Sequence, residues 1–340
     1  MPFFAADNII TALGLTTPDN WSELLKGQTG IRTISDPALY KEPFQAALVD
    51  HDVVYEKFSG FDDPENYTQL EKMIILSIRE ALEQTQVDPG SPRTGLILST
   101  TKGNIDLLGA ETNENFPPER VTLWKMGEVI ARQIGHHGMP IVLSNACISG
   151  VLAINLGAMM VHTGRYDNII ISGGDLVSRF VVSGFMSFLS LSPQPCRPFD
   201  AHRDGLSLGE AAGTLILSKE KTGRDDILWL GGATANDANH ISGPSRTGEG
   251  SYIAIREAFA EAGVSKDEID HIGAAGIVET AILLLEMKRS TVIRSAGYGQ
   301  LGVSKPIRVA AENVNANLNT CLKMASGFGG SNAAMVIEKV

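Results

Sequence analysis

The 340-residue chain carries only three cysteines, Cys147, Cys196 and Cys321. So few, so far apart, they exclude a disulfide framework and suit a reducing cytoplasm. No CxxC and no paired His/Cys spacing marks a zinc site. Basic residues form no cluster, and the net charge is −11. Both argue against nucleic acid, whose phosphates need a concentrated positive surface. An acidic surface also repels anionic lipid, while leaving room for a local basic patch that faces an acidic carrier. Residues 1–7 lack the basic start and apolar core of a secretory signal. No charge-free apolar run reaches the length of a membrane span. Residues 141–161 come nearest, and Ser144, Asn145, Ser149, Gly150 and Asn155 break them. No Pro/Ser linker or low-complexity stretch divides the chain.

What is present is an alternation of strand-like runs and amphipathic helices. Tyr67, Leu70, Met73, Ile74, Ile78, Ala81 and Leu82 share one helical face. Strands are expected at 94–100, 168–174, 213–218 and 227–233, with helices at 252–262 and 274–288. Residues 321–325 and 333–338 read as closing strands. This alternation implies an α/β fold with helix-covered sheets. Two comparable halves are expected, 1–222 and 223–340, meeting in the charged stretch 219–226 and fused into one body.

One cysteine stands out. The apolar run 139–143 leads into Ser144-Asn-Ala-Cys-Ile-Ser-Gly150, and the apolar segment 151–161 leads out. That predicts a buried strand, a tight turn at Cys147 and a helix starting at once. Unpaired N–H groups and the positive end of the helix dipole favour thiolate over thiol there. The thiolate is the nucleophile. Taken alone, Cys147 would more often be a small, inert core residue. A second glycine loop, Ser326-Gly-Phe-Gly-Gly-Ser-Asn332, reverses those odds if it meets the turn. The N–H groups of Cys147 and Phe328 would then form an oxyanion hole. A third segment, 196–213, packs Arg197, Asp200, Arg203, Asp204 and Glu210 among glycines. These are expected to pair with one another and brace a loop, with Asp200 and His202 structural rather than a proton relay.

These motifs, with Gly-Ala-Ala-Gly-Ile-Val-Glu279, occur in a fixed order along nearly the whole chain. The ordered set resembles the β-ketoacyl-acyl-carrier-protein synthases of the thiolase-like superfamily, the type II elongating enzymes most of all. Thiolases usually carry a second cysteine in a C-terminal CxG loop, where this chain has Gly-Phe-Gly-Gly. The resemblance implies a five-layer α/β/α/β/α sandwich of two fused, topologically similar halves. It implies that Cys147 takes an acyl group from a carrier phosphopantetheine, and that the enolate from a decarboxylated malonyl-carrier then attacks it. Phe328 would be gate and oxyanion donor, with Gly327, Gly329 and Gly330 against the substrate. Glu279 and Asn332 would match a water or monovalent-cation site. Asp237 to Pro244 resembles a loop beside the pocket, which makes His240 structural. Phe185, Met186 and Phe188 are candidates for the pocket floor. The implied partners are acyl carrier protein, malonyl and acyl thioesters, and a second ketosynthase-like subunit in a homo- or heterodimer. No metal or organic cofactor is implied, since phosphopantetheine arrives on the carrier.

The chain departs from this family at one place. The family uses two histidines, in a His-Gly-Thr and a Gly-His motif, with a lysine a few residues before the second. Here Asp270-His-Ile runs directly into Gly273-Ala-Ala-Gly, so the intervening segment is absent. Three accounts are open. The encoded chain carries the segment and this sequence lacks it; the deletion is genuine and condensation is lost; or His271 stands in, one residue out of register. Chain-length-factor subunits, which pair with an active synthase, are the alternative class, although their cysteine is typically replaced.

Overall fold

A computed structural model describes residues 1–109, 115–221, 223, 226–237, 245, 247–274 and 276–340. The first strand, β1 (Phe3–Ile10), leads to α1 (Thr17–Leu25) and a small hairpin, β2 (Arg32–Ile34) and β3 (Phe44–Ala47). Helices α2 (His51–Ser59) and α3 (Gln69–Leu82) precede β4 (Thr94–Ser99), α4 (Leu123–Gln133) and β5 (Ile141–Leu143). Then come α5 (Ser149–His162), β6 (Asn168–Asp175), α6 (Arg179–Ser187), β7 (Leu208–Gly209) and β8 (Ala211–Ser218). The second half holds β9 (Ile227–Asn236), α7 (Glu249–Ala262), β10 (His271–Ala274) and α8 (Gly276–Arg289). It closes with β11 (Thr291–Val292), β12 (Val314–Asn315), β13 (Thr320–Gly327) and β14 (Ser331–Lys339).

Nine strands share one hydrogen-bonded sheet in the order β10-β13-β14-β9-β1-β8-β6-β4-β5. It is two half-sheets joined where Phe3 meets Leu228. α3 packs on β1, β6 and β8, and α7 on β9 and β14, as the outer layers. α5 touches strands of both halves and packs on α8 between them. The result is the α/β/α/β/α order.

Local chemistry explains the layers. Buried residues of α3 run from Leu70 to Ala81, and a reciprocal Thr68–Glu71 capping box starts the helix. α5 is apolar almost all round, as a helix buried on every side must be. Its one buried amide, Asn155, accepts from the Trp229 indole at 3.0 Å and donates to the Ala334 carbonyl at 3.1 Å. The oxygen and the nitrogen of that buried amide therefore each have a partner.

Two expectations are corrected. β5, which leads to Cys147, is only partly buried, because it is the outermost strand of the sheet. The helix expected from Ala274 starts at Gly276 instead, because residues 271–274 pair in parallel with Cys321–Met324 as β10. Ile272 and Gly273 are thus consecutive residues of one strand, where the resemblance puts the gap.

Candidate active site

The turn between β5 and α5 is an elbow. Ala146 has φ 43°, left-handed backbone that an alanine adopts only when its surroundings impose it. Ser149 closes the turn: its hydroxyl accepts from Asn145 N and donates to the Ala146 carbonyl, both at 2.7 Å. No side chain caps the first turn of α5. Cys147 is exposed on this elbow.

The glycine loop meets it. A Cβ on Gly327 would stand 3.0 Å from Cys147 N and 3.3 Å from Cys147 Cβ. Ser331 donates to the Asn145 side chain at 3.1 Å, which fastens the loop to the elbow. Gly329 and Gly330 have φ of 80° and 75°, which a side chain would strain. Asn236 and Asp237 N hold the carbonyls of Gly329 and Gly330, each at 2.9 Å. The Phe328 ring lies 5.8 Å from Phe185 and 5.7 Å from Phe188, so α6 and the glycine loop share an aromatic mouth.

The two helices of the middle layer converge here. A Cβ on Gly150, in the first turn of α5, would stand 2.9 Å from Ile277 N and 3.0 Å from Gly276 Cα. Glu279 folds back over the start of α8, its Oε2 2.5 Å from a Cβ position on Gly276. Glu279 keeps solvent access. Desolvation by the protein around it pushes its carboxyl pKa up, and the Lys323 charge pulls it down.

Asn332, expected beside Glu279 at a water or cation site, is held by its own neighbours. The Asn332 side chain accepts from Ser251 and Ser326, each at 2.7 Å, and donates to the Gly330 carbonyl at 2.9 Å. The cation coupled to Glu279 is Lys323, a residue of β13 that sequence reasoning missed. Lys323 has no exposed surface, and burial pulls its ammonium down to about 8. Among the described residues, no cluster of three His, Cys, Asp or Glu could hold a metal.

His271 lies 3.7 Å from Glu286. It pairs with Cys321, and six residues of β13 then lead to Gly327, about 20 Å at strand rise. It stands far from the elbow. His240 lies outside the described residues.

The segment at 196–210 supports structure, but not through mutual pairing. No ion pair joins two of its five charged residues. Asp200 accepts from the backbone of His202, Gly299 and Gln300, each at 2.8 Å, which holds its carboxyl well below the usual range. Arg203 donates to the carbonyls of Asp200 and Gly302. Asp204 accepts from Ser192. Glu210 takes Val49 N, Val177 N and the exposed His51. Backbone amides are the closer partners once the loop is folded. His202 sits 3.3 Å from Asp200 with 72 % of its side chain exposed.

Among the described residues all three cysteines are free, and no helix is long and apolar enough to cross a membrane.

Residues 6–223 match the family model described as β-ketoacyl synthase, N-terminal domain. The 3-oxoacyl-[acyl-carrier-protein] synthase 2 of Vibrio cholerae serotype O1 is 26% identical over 330 residues, covering 87% of this chain and 79% of that protein. The chloroplastic 3-oxoacyl-[acyl-carrier-protein] synthase I of Hordeum vulgare is 25% identical over 366 residues, covering 94% and 75%. That alignment is longer than this chain of 340 residues, so the relative carries segments this chain lacks. The ketosynthase ApeO in complex with its chain length factor ApeC, from Xenorhabdus doucetiae, superposes with TM-score 0.87 at 22% identity, covering 100% of this chain and 98% of that one. The family match over most of the chain, and a thiolase-like fold over all of it, lead to one conclusion: the chain belongs to the β-ketoacyl synthase family.

Proposed function

We propose that the chain is an acyl-carrier-dependent ketosynthase in fatty acid or polyketide synthesis, and that Cys147 takes the acyl group as a thioester. One observation carries this reading: the glycine loop lies so close against the elbow that a Cβ on Gly327 would stand 3.0 Å from Cys147 N. The thiolate attacks the carrier thioester carbonyl, and the N–H groups of Cys147 and Phe328 receive the developing oxyanion. The carrier thiol leaves, and malonyl-carrier then enters. Its decarboxylation supplies the enolate whose attack forms the carbon–carbon bond and releases Cys147. The site belongs to a cytoplasmic protein on this reading.

A second reading has a specific observation behind it. His271 lies on the Glu286 side of β10, about 20 Å from Gly327 along the strand pairing. That favours a condensation-impaired subunit, loaded on Cys147 and paired with an active synthase. In either case the partner subunit would add to β5, the outer edge of the sheet. A groove lined by Leu123, Trp124, Ala131, Met139 and Val142 runs beside that edge, with Met139 91% exposed. Incubation with acyl-carrier and malonyl-carrier tests both readings. Chain extension supports the condensing enzyme. An acylated Cys147 without extension supports the impaired subunit. Absence of acylation sinks both. Met139→Glu should weaken self-association on a sizing column, and unchanged elution of a dimer would remove β5 from the interface.

A further inference from the structure

The start of α3 borders a polar pocket that shares no described lining residue with the elbow or the glycine loop. It is a cavity of about 400 Å³ beside the turns Pro64–Asn66 and Ile105–Leu108. Glu65, Gln69, Lys72, Asp106, Leu107 and Phe116 are among its walls. Two further wall residues are already engaged. Thr68 donates to Asn104 at 2.8 Å and accepts from Glu71 N, and the Tyr67 hydroxyl donates to Asp62 at 2.7 Å. Lys72 and Gln69 differ from them. Lys72 is only 8% exposed, and its ammonium has no hydrogen bond or ion pair among the described residues. Its contact is the Tyr55 ring, whose centre lies 5.1 Å from Nζ. The side-chain nitrogen of Gln69 is fully buried and likewise has no hydrogen-bond partner among the described residues. Two unmatched donors therefore line one cavity.

We propose that this pocket binds a small monocarboxylate that also carries a hydroxyl or amine, its carboxylate bridging Lys72 and Gln69. A buried ammonium and a buried amide N–H each leave a desolvation cost uncompensated until an acceptor meets them. A carboxylate offers two oxygens, one for each donor, and charge-assisted bonds to it are the stronger kind. Burial pulls the Lys72 ammonium down, and the Glu65 and Glu71 charges hold it up. A bound carboxylate acts in the same direction as those two. Glu65 and Asp106 narrow the ligand further. Two carboxyl groups beside one ammonium disfavour a phosphate dianion. They also offer acceptors to a donor on the ligand, since Glu65 takes the Tyr55 hydroxyl, at 2.9 Å, with only one of its two oxygens. The cavity has the size of a small-molecule site. Nothing in this pocket depends on how Cys147 reacts.

The test is saturation-transfer NMR on the full chain, with sodium lactate and sodium acetate as probes and ionic strength fixed with chloride. Lactate should give a transfer signal that saturates with concentration. Acetate lacks the hydroxyl and should need a several-fold higher concentration. Lys72→Met keeps an unbranched side chain and removes a buried charge, which relieves the fold rather than straining it. It should weaken lactate binding about tenfold or more, as loss of a charged hydrogen bond does. Gln69→Leu removes the second donor and should weaken binding several-fold. A lactate signal that does not saturate, or that survives unchanged in the folded variants, overturns the proposal. So does acetate binding as tight as that of lactate, or displacement of lactate by an equal concentration of inorganic phosphate. If Lys72→Met does not fold, Gln69→Leu decides: weaker binding supports the proposal, and unchanged binding overturns it. Acyl loading of Cys147 is not read in this experiment, so the two readings fail separately.

Discussion

The molecule contains two strand-to-helix junctions whose helices meet at Gly150 and Gly276. At the first, residues 144–148 form a turn between β5 and α5, strained at Ala146, with an exposed cysteine at its tip. At the second, β10 and α8 follow one another almost directly, ending at Ala274 and starting at Gly276. The first junction has room for a nucleophile and a neighbouring loop to present N–H groups. The second has no comparable loop; Glu286 on α8 and Lys323 on β13 are buried behind it. A junction's loop length decides whether its helix terminus faces a substrate or faces only its own protein. The first junction thus presents an exposed thiol, and the second keeps ionisable groups behind it.

That contrast can be broken most sharply at the cysteine. Cys147→Ala should abolish acyl labelling from acyl-carrier outright while the fold remains, because no other described cysteine stands on the elbow. Persistent labelling at another residue, seen in peptide mapping, would remove the nucleophile from the first junction. Next in size are two glycines that separate geometry from stability. Gly327→Ala puts a methyl 3.0 Å from Cys147 N, so the loop must withdraw. Acylation should fall about tenfold or more, since small misplacements at a reacting centre are costly. Gly150→Ala collides with backbone at Ile277 instead. It should cost about 1–3 kcal/mol of stability by overpacking, read as a lower Tm. If Gly327→Ala lowered Tm more than Gly150→Ala and spared acylation, the division of labour between the two contacts would be wrong.

The sequence makes the first junction legible and conceals the second. An apolar run, small residues and a second apolar run spell strand, turn and helix around Cys147, and the glycines at 327, 329 and 330 mark where backbone must come close. Asp-His-Ile-Gly-Ala has no such signature. β10 spans only His271–Ala274, and parallel pairing with β13 rather than its own pattern makes it a strand. Lys323 is hidden for a different reason. Lysine in an apolar run ordinarily marks an exposed face, and nothing local announces the carboxylates of Glu279 and Glu286, some forty residues earlier. The 196–210 loop shows the same limit: charges in sequence suggest ion pairs, but Asp200 and Glu210 bind mostly amides brought in by distant segments.

The smallest expected effect sharpens the contrast through pH. Glu286 is nearly buried on α8, and desolvation pushes its carboxyl pKa up to about 7, against hydrogen bonding from Ile293 N and the Lys323 charge. A carboxyl raised in the folded state binds its proton more tightly there than in the unfolded chain. Its contribution to stability is therefore full below the unfolded value near 4.5 and is lost as pH rises to about 7. Lys323, lowered from 10.5 to about 8, works in a separate window: the folded state holds fewer protons there, so its buried charge ceases to weaken the fold as pH rises through that range. Tm measured across the acidic to neutral range should decline in the parent by a few degrees more than in Glu286→Gln, which has no proton to lose at that position. Equal slopes would mean that Glu286 ionises in the fold as freely as in the unfolded chain, and that α8 carries no titrating charge of its own at that position. The elbow supplies no such term, since neither its hydroxyls nor its backbone groups titrate in that range. A slope lost in variants of α8 and β13, and kept in variants of residues 144–150, would therefore place the pH sensitivity of stability at the second junction.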